Sequence, residues 1–409
     1  MKLKLFLLAT SAVALASCSS DAVVEDQQAA NAIQFGVTTG NASRAASYYC
    51  NNDKPAQFNV WAKVKQGDAF KTYFEDESFS LNGDTWTIDG GVERYWPNDE
   101  IHFFAAKNNT KYGEGAKNFA TVNWNSGAPT IHMTVETEAS KQQDLLYAYT
   151  VSNRSKTDGT GNFNAGKAEL NFRHALSQVV FKAQNNNKKI YVEIQEVQVA
   201  NLNTEGTFSF PTETTNVPLE DHKQGTAIPT TGIGSWNETQ TTPATITTTE
   251  DFGPIAVAGN SQVINLTNNE AADGTDAEKE KTKITHSLIV LPQKLDAWNH
   301  TAAPSTTGAY FKVRCTIWNV SGTQVDKNND VILYNNQNAE GQAQYIYIPV
   351  KIDWQVGKKY IYTFVFSKNG HGGYDKDGND VLIPIKFNVT VDDFAKGAEP
   401  NVDADNGNE

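Results

Sequence analysis

At 409 residues the chain is too long for one small sandwich, and two domains is the natural expectation. With 20 Phe, 15 Tyr and 8 Trp there is apolar material for both, and frequent turn dipeptides with scarce helical periodicity point to an all-β protein. A net charge of −13 without a basic stripe argues against nucleic acid as a partner and suits a self-repelling surface protein.

Lys2 and Lys4 form a basic n-region, and Leu5 to Ala16 an apolar run too short to span a bilayer. Leu15-Ala16-Ser17-Cys18 matches the bacterial lipobox, so residues 1–18 read as a lipoprotein signal peptide with Cys18 as the lipidated residue; an unlipidated secretory signal is the competing reading. Residues 19–44 open with a small, acidic tether. They then carry a short amphipathic strand in which Ile33, Phe35 and Val37 alternate with Gln34, Gly36 and Thr38. A soft polar run leads to Arg44-Ala45. With Cys18 committed to lipid, Cys50 and Cys315 remain; they fall in different predicted domains, and whether they pair is left open.

Residues 45–167 form the first predicted domain. Phe58, Val60 and Ala62 alternate with Trp61 on the opposite face, and Asn82-Gly83-Asp84 is a hairpin turn. Ile101-His-Phe-Phe-Ala-Ala106 reads as a strand buried on both faces, and an apolar knot, Asp144 to Ala148, precedes a Gly/Asn-rich loop. Leu170 to Ala183 then alternates twice, with the phase broken at Ala175-Leu176, which predicts one long kinked strand crossing between the domains. His174 lies on its apolar face, where a hydrogen-bonded core histidine is expected.

The second predicted domain covers residues 168–396. Ile190 to Val199 makes a hairpin with the crossover strand; residues 211–250, rich in Thr and Pro, read as a surface excursion, and residues 268–283 as a polar insertion. Further strands end in Ile385, Phe387, Val389 and Val391, which alternate cleanly. Residues 397–409 form an acidic, disordered tail.

A search for chemistry finds little. Gly161 to Lys167 has the spacing of a phosphate-binding loop, but Ala168 stands where a Ser or Thr is needed and a strand follows instead of a helix. Asp375-Lys-Asp377-Gly378-Asn379-Asp380 starts like a calcium loop, yet its twelfth position is Lys386, so a β-turn is the better reading. Neighbouring strand residues such as Asp392 and Asp393 face opposite sides and cannot flank one glycosidic bond. No HExxH, nucleophile elbow or zinc-spaced cluster occurs, so no enzyme, cofactor or metal is expected.

Taken in order, several motifs resemble the fimbrillin family, the subunits of type V pili. They are the lipobox at Cys18, Ile33-Gln-Phe35 followed by Ser43-Arg44-Ala45, Tyr95-Trp96-Pro97 with Ile101 to Phe104, and Gln143 to Ala148. Leu170 to Val179, Leu291-Pro-Gln293, Trp354 to Lys358 with Tyr360-Ile-Tyr362, and Pro384 to Phe394 complete the series. The resemblance implies two tandem β-sandwich (transthyretin-like) domains behind a lipoprotein leader, exported to the outer membrane and cut after Arg44 by a trypsin-like protease. The cut would remove the strand at Ile33, Phe35 and Val37. Another subunit would fill the apolar groove, and Ile385, Phe387, Val389 and Val391 are the candidate donor strand.

The implied partners are other pilus subunits, the outer membrane through lipid before processing, and a host or glycan ligand. The polar, acidic C-terminus departs from major pilins and turns the expectation toward a tip or accessory subunit. The alternative is a surface-anchored glycan-binding lipoprotein, in which loop-borne Trp236 and Trp298 would stack on sugars.

Overall fold

The computed structural model describes residues 32–39, 55, 57–83, 85–90, 92–107, 120–124, 128–152, 167–215, 232–238, 244–247, 254–267, 287–301, 308–367, 372–381 and 385–393. Cys18, Arg44, Ala45, Cys50, the polar insertion and the acidic tail lie outside these. Among the described residues there is no α-helix, and one 3₁₀ turn covers Ala139–Lys141.

Up to the predicted crossover the strands are β1 (Gln34–Thr39), β2 (Gln57–Gln66), β3 (Ala69–Asn82), β4 (Thr85–Ile88), β5 (Ile101–Lys107), β6 (Ala120–Asn123), β7 (Thr130–Thr134), β8 (Leu146–Ser152) and β9 (Lys167–His174). Seven of them close a barrel in the order β1-β4-β3-β2-β5-β8-β9. Period-two alternation explains its filling. Phe58, Val60, Ala62 and Val64 of β2, Ile101, Phe103 and Ala105 of β5, and Ala168, Leu170 and Phe172 of β9 all point inward. The barrel closes because β1 bridges β4 and β9 and so removes both free edges.

The outer faces of β2, β5 and β8 are also buried. Trp61, Phe104, Ala106, Tyr147 and Tyr149 leave the barrel core and join a larger one, which is why the Ile101–Ala106 run is apolar on both faces except at the half-buried His102. A four-stranded sheet, β13-β12-β7-β6, covers this wall and includes β12 (Glu205–Ser209) and β13 (Ser235–Glu238). Phe208 stands 4.7 Å from Tyr147, and Phe210 5.4 Å from Phe104.

The long kinked strand is two strands in two sheets. β9 completes the barrel and β10 (Ser177–Asn185) opens the next sheet, so the change of sheet falls at Ala175-Leu176, where the alternation breaks phase. At the break the backbone is satisfied from elsewhere: Ala175 donates to Leu145 O at 2.8 Å, and Gly357 donates to Leu176 O at 3.0 Å. His174 is paired here as expected, its Nδ1 lying 2.5 Å from Asp144 Oδ2.

The remaining strands are β11 (Ile190–Leu202), β14 (Ala244–Thr247), β15 (Ile255–Val257), β16 (Val263–Asn265), β17 (Leu288–Val290), β18 (Lys294–Leu295), β19 (Tyr310–Asn319), β20 (Val331–Tyr334), β21 (Ile346–Pro349), β22 (Ile352–Asp353), β23 (Lys358–Phe366), β24 (Gly373–Tyr374), β25 (Asp380–Val381) and β26 (Ile385–Asp393). One sheet runs β16-β10-β23-β26 with β17 also on β10; the other runs β14-β11-β19-β21-β24-β25 with β15 on β11 and β20 on β19. Their inner faces interlock through Phe311, whose ring lies 5.5 Å from Phe181, 4.8 Å from Tyr362 and 5.5 Å from Phe387.

β10 and β11 therefore do not form the expected hairpin. Each turns its apolar face toward the other's sheet, and the link is an arch held by Asn185, whose amide donates to Ile190 O at 2.9 Å and Val257 O at 3.1 Å. The 211–250 stretch is likewise not all excursion: β13 and β14 pair on the flanks of β12 and β11. Among the described residues of this stretch only scattered ones are buried, such as Ile246, so no alternation marks them.

Candidate functional site: the seat of the N-terminal strand

The strand carrying Ile33, Phe35 and Val37 is the piece that closes the barrel. β1 runs parallel to β9 from Gln34↔Lys167 to Thr39↔Phe172 and meets β4 through a single antiparallel pair, Phe35↔Trp86. Its entry is pinned by Ile33, which donates to Arg94 O at 2.6 Å, and by a bridge between Ala32 and Tyr95. One side of the strand is thus a full ladder and the other nearly a seam.

Inside, Phe35 is fully buried, with Val37 at 3% and Ile33 at 5% exposure. Phe35 meets the edges of Phe79 at 4.8 Å, Phe103 at 5.1 Å and Phe58 at 5.9 Å. At about 1.5–3 kcal/mol for each fully buried large apolar side chain, these three contribute on the order of 5–9 kcal/mol. That rivals the whole net stability of an ordinary domain, roughly 5–15 kcal/mol. A barrel that loses β1 must therefore open or be refilled.

The rim is ordered by polar contacts. The Trp86 indole donates to Pro55 O at 2.7 Å, and the Tyr73 hydroxyl donates to Tyr95 O at 2.6 Å. Arg94 pairs with Glu77 and lies 5.9 Å over the Phe74 ring. The Tyr95 phenol donates to the Glu93 carboxylate at 3.1 Å, which holds its pKa above the ordinary value. On the outer face Gly36 sits opposite Glu169, and a Cβ at Gly36 would run into the Glu169 carboxylate oxygens. A glycine inside a strand often marks such close approach.

The candidate donor residues lie on β26, which pairs antiparallel with β23 from Phe366↔Ile385 to Lys358↔Asp393 and ends its sheet. Ile385 is buried, Phe387 and Val389 are half-buried, and Val391 is 55% exposed. Burial therefore falls off steadily toward the C-terminus.

The fimbrillin-like family profile matches residues 43–393. The chain belongs to the fimbrillin-like family. In fold it is similar to a fimbrial protein from Bacteroides vulgatus, with 15% identity, a TM-score of 0.50, and coverage of 88% of this chain and 99% of that one. It also matches a proposed cell adhesion protein from Bacteroides uniformis, at 15% identity and TM-score 0.39, over 89% and 99% of the two chains. Another from Parabacteroides distasonis matches at 11% identity and TM-score 0.41, over 89% and 100%. No curated protein matches the chain.

The other sequence-derived candidates of this fimbrillin-like chain are built into its structure. Trp236 donates its indole N–H to Ala175 O at 2.6 Å and leans on Phe208; Trp298 is 2% exposed among Tyr310, Tyr347 and Tyr374. Trp298 therefore presents no free ring face of the kind expected for sugar stacking, and Trp236 is half-buried. Cys315 is a free, buried thiol whose pKa is pushed up by burial.

The calcium-like loop turns its carboxylate on itself: Asp375 Oδ1 accepts from the backbone N–H of Asp377 and Asn379 at 2.8 and 2.9 Å. Among the described residues no group of three or more His, Cys, Asp or Glu could hold a metal. Lys167, the end of the phosphate-loop spacing, opens β9, a strand. Sequence reasoning missed Trp86, Arg94 and Glu169 as parts of the seat. Only Gly36, a glycine inside an alternating strand, offered a signal for them.

Proposed function

We propose that this cell-surface fimbrial chain is an adhesive pilus subunit exported as a lipoprotein on Cys18, cut after Arg44, and assembled by strand exchange, in a tip or accessory position. The observation that carries the reading is the seat itself. β1 fills the barrel with three buried apolar side chains, yet on one flank it is held by a single pair with β4. Arg44 follows shortly after the last residue of β1, so a cut there would leave the strand on the leader side, attached only by non-covalent contacts. Loss of β1 would expose Phe58, Phe79 and Phe103 together with the free ladder edge of β9, a combination that favours capture of another strand.

A tip or accessory role accords with the polar, acidic residues that follow β26, which give a donor strand little further apolar reach. Assembly of this kind needs packing and backbone pairing and no catalytic group, in keeping with a structural rather than catalytic family.

The test is limited digestion of the folded chain with an arginine-specific protease, followed by N-terminal sequencing and gel filtration. A new N-terminus at Ala45 and the appearance of oligomers are expected. Resistance of the Arg44–Ala45 bond, or cleaved protein that stays monomeric, would overturn the reading.

A further inference from the structure

The sheet that holds β11, β19, β21 and β24 carries an unusual outer face. Gln198, Lys312, Tyr347 and Tyr374 stand in register across those four strands, one beside the next. At about 4.8 Å between strands the row runs roughly 14 Å. We propose that this row binds a carboxylate-bearing saccharide. Tyr345 and Tyr347 supply the stacking surface, and the Lys312 ammonium takes the carboxylate. The proposal rests on the adhesive part of the reading above and adds the site and the chemistry of the ligand.

Alternation puts these side chains outside. Phe311, Val313, Ile346 and Ile348 turn into the core, so Lys312, Tyr345 and Tyr347 face away from it. Beneath the row Trp298 and Tyr310 are buried in a small cluster of their own. Tyr347 lies 6.0 Å from the first and 5.4 Å from the second. Tyr374 packs on Trp298 at 5.9 Å and stacks on His300 at 4.0 Å. Packing accounts for Trp298 and Tyr310, which are nearly out of water. It does not account for Tyr345, Tyr347 and Tyr374, which are half-buried and keep part of their surface in water.

Charge names the ligand. The Lys312 ammonium lies 4.3 Å over the Tyr345 ring and 5.8 Å over that of Tyr347. Among the described residues no acceptor is hydrogen-bonded to it and no carboxylate lies within ion-pair distance. Glu196, on the facing strand, is committed elsewhere. It accepts from Gln198 Nε2 at 2.5 Å and from the Tyr345 hydroxyl at 2.8 Å, and Arg314 Nε lies 3.6 Å away. Burial lowers the Lys312 pKa and outweighs Glu196, so this ammonium has given up water without gaining a partner. The far end of the same face shows the completed arrangement: Lys327 lies 5.4 Å over the Trp318 ring and is paired with Glu193. At Lys312 the ring contact is present and the carboxylate comes from outside. A sugar acid provides it, together with an apolar ring face for the tyrosines and hydroxyls for Gln198.

Isothermal titration calorimetry on the full, uncut chain tests the site with sialyllactose, trigalacturonate and lactose, each taken to millimolar concentration. At least one of the two acids should bind about tenfold or more tighter than lactose, the size of one charge-assisted hydrogen bond. Which acid binds better tells a sialylated source from a uronate one. Lys312→Gln should remove the preference for acid, and Lys312→Arg should keep it. Tyr347→Ala should weaken binding of all three sugars, with urea midpoints measured alongside to show that each variant is folded.

Equal affinity for lactose and both acids overturns the role of Lys312. Binding that survives both Lys312→Gln and Tyr347→Ala undiminished puts the saccharide elsewhere and overturns the site. No binding of any of the three overturns the saccharide as ligand. Because the chain is uncut, each of these outcomes leaves cleavage at Arg44 and strand exchange standing, and a failure of assembly leaves this site untouched.

Discussion

β1 and β26 share a side-chain pattern and occupy unlike surroundings. β1 closes a barrel, pairs on both flanks and sinks its phenylalanine completely. β26 ends a sheet, pairs on one flank and leaves its own phenylalanine half-buried. Alternation specifies which side chains turn inward; the number of paired edges and the depth of the floor beneath them determine how strongly the strand is held. For this chain the contrast puts the better-built seat at the N-terminal strand and the looser strand at the C-terminus.

Shortening each phenylalanine should separate the two strands most clearly. Phe35→Ala should destabilise the uncut protein by about 3–5 kcal/mol in urea unfolding, as a buried aromatic leaving a cavity does. Phe387→Ala, already partly in water, should cost about 1–2 kcal/mol. Equal losses would mean that the two environments are not as different as their burial indicates.

A smaller effect is expected at the seam. Trp86→Phe removes the donor to Pro55 O and should cost about 1–3 kcal/mol, the range for a buried acceptor left without its partner. The same change should quicken cleavage after Arg44 in a time course, because Trp86 is the residue of β4 that pairs with β1.

Smaller still, Gly36→Asn puts a side chain where the Glu169 carboxylate lies. Those oxygens are the far end of a flexible side chain that can swing aside, so stability in urea unfolding should change by less than about 1 kcal/mol, within the range of a cross-strand pair. A loss well above that would mean that the Glu169 carboxylate is held in place.

The least effect is expected from pH. His102 of β5 lies with Nδ1 2.7 Å from the Tyr149 hydroxyl and Nε2 3.0 Å from Glu100, and burial holds its pKa below the ordinary 6.5, outweighing Glu100. Below 6.5 the unfolded chain then binds this proton more readily than the folded one, so stability should fall as pH drops from there through the folded value. A pH series of urea midpoints should show that slope, and His102→Gln should flatten it.

The family and the all-β class were legible because they depend on local order. The both-face burial of Ile101–Ala106, the outward Trp61 and the paired His174 follow from residue type and period two. The arch at Asn185, the strands β13 and β14, and the sheet shared across the junction were not legible. Their partners are distant in sequence, and their side chains carry no alternation of their own.

Most of the seat belongs with these. By itself the sequence determined that Ile33, Phe35 and Val37 share an apolar face and that Ile385, Phe387, Val389 and Val391 do too, because successive residues of a strand point to opposite sides. Only the tertiary structure decided that the first set closes a barrel against β4 and β9 and the second hangs on one edge. Backbone pairing uses the same N–H and C=O groups in every residue, so it leaves no mark in the side chains of the strand that is paired.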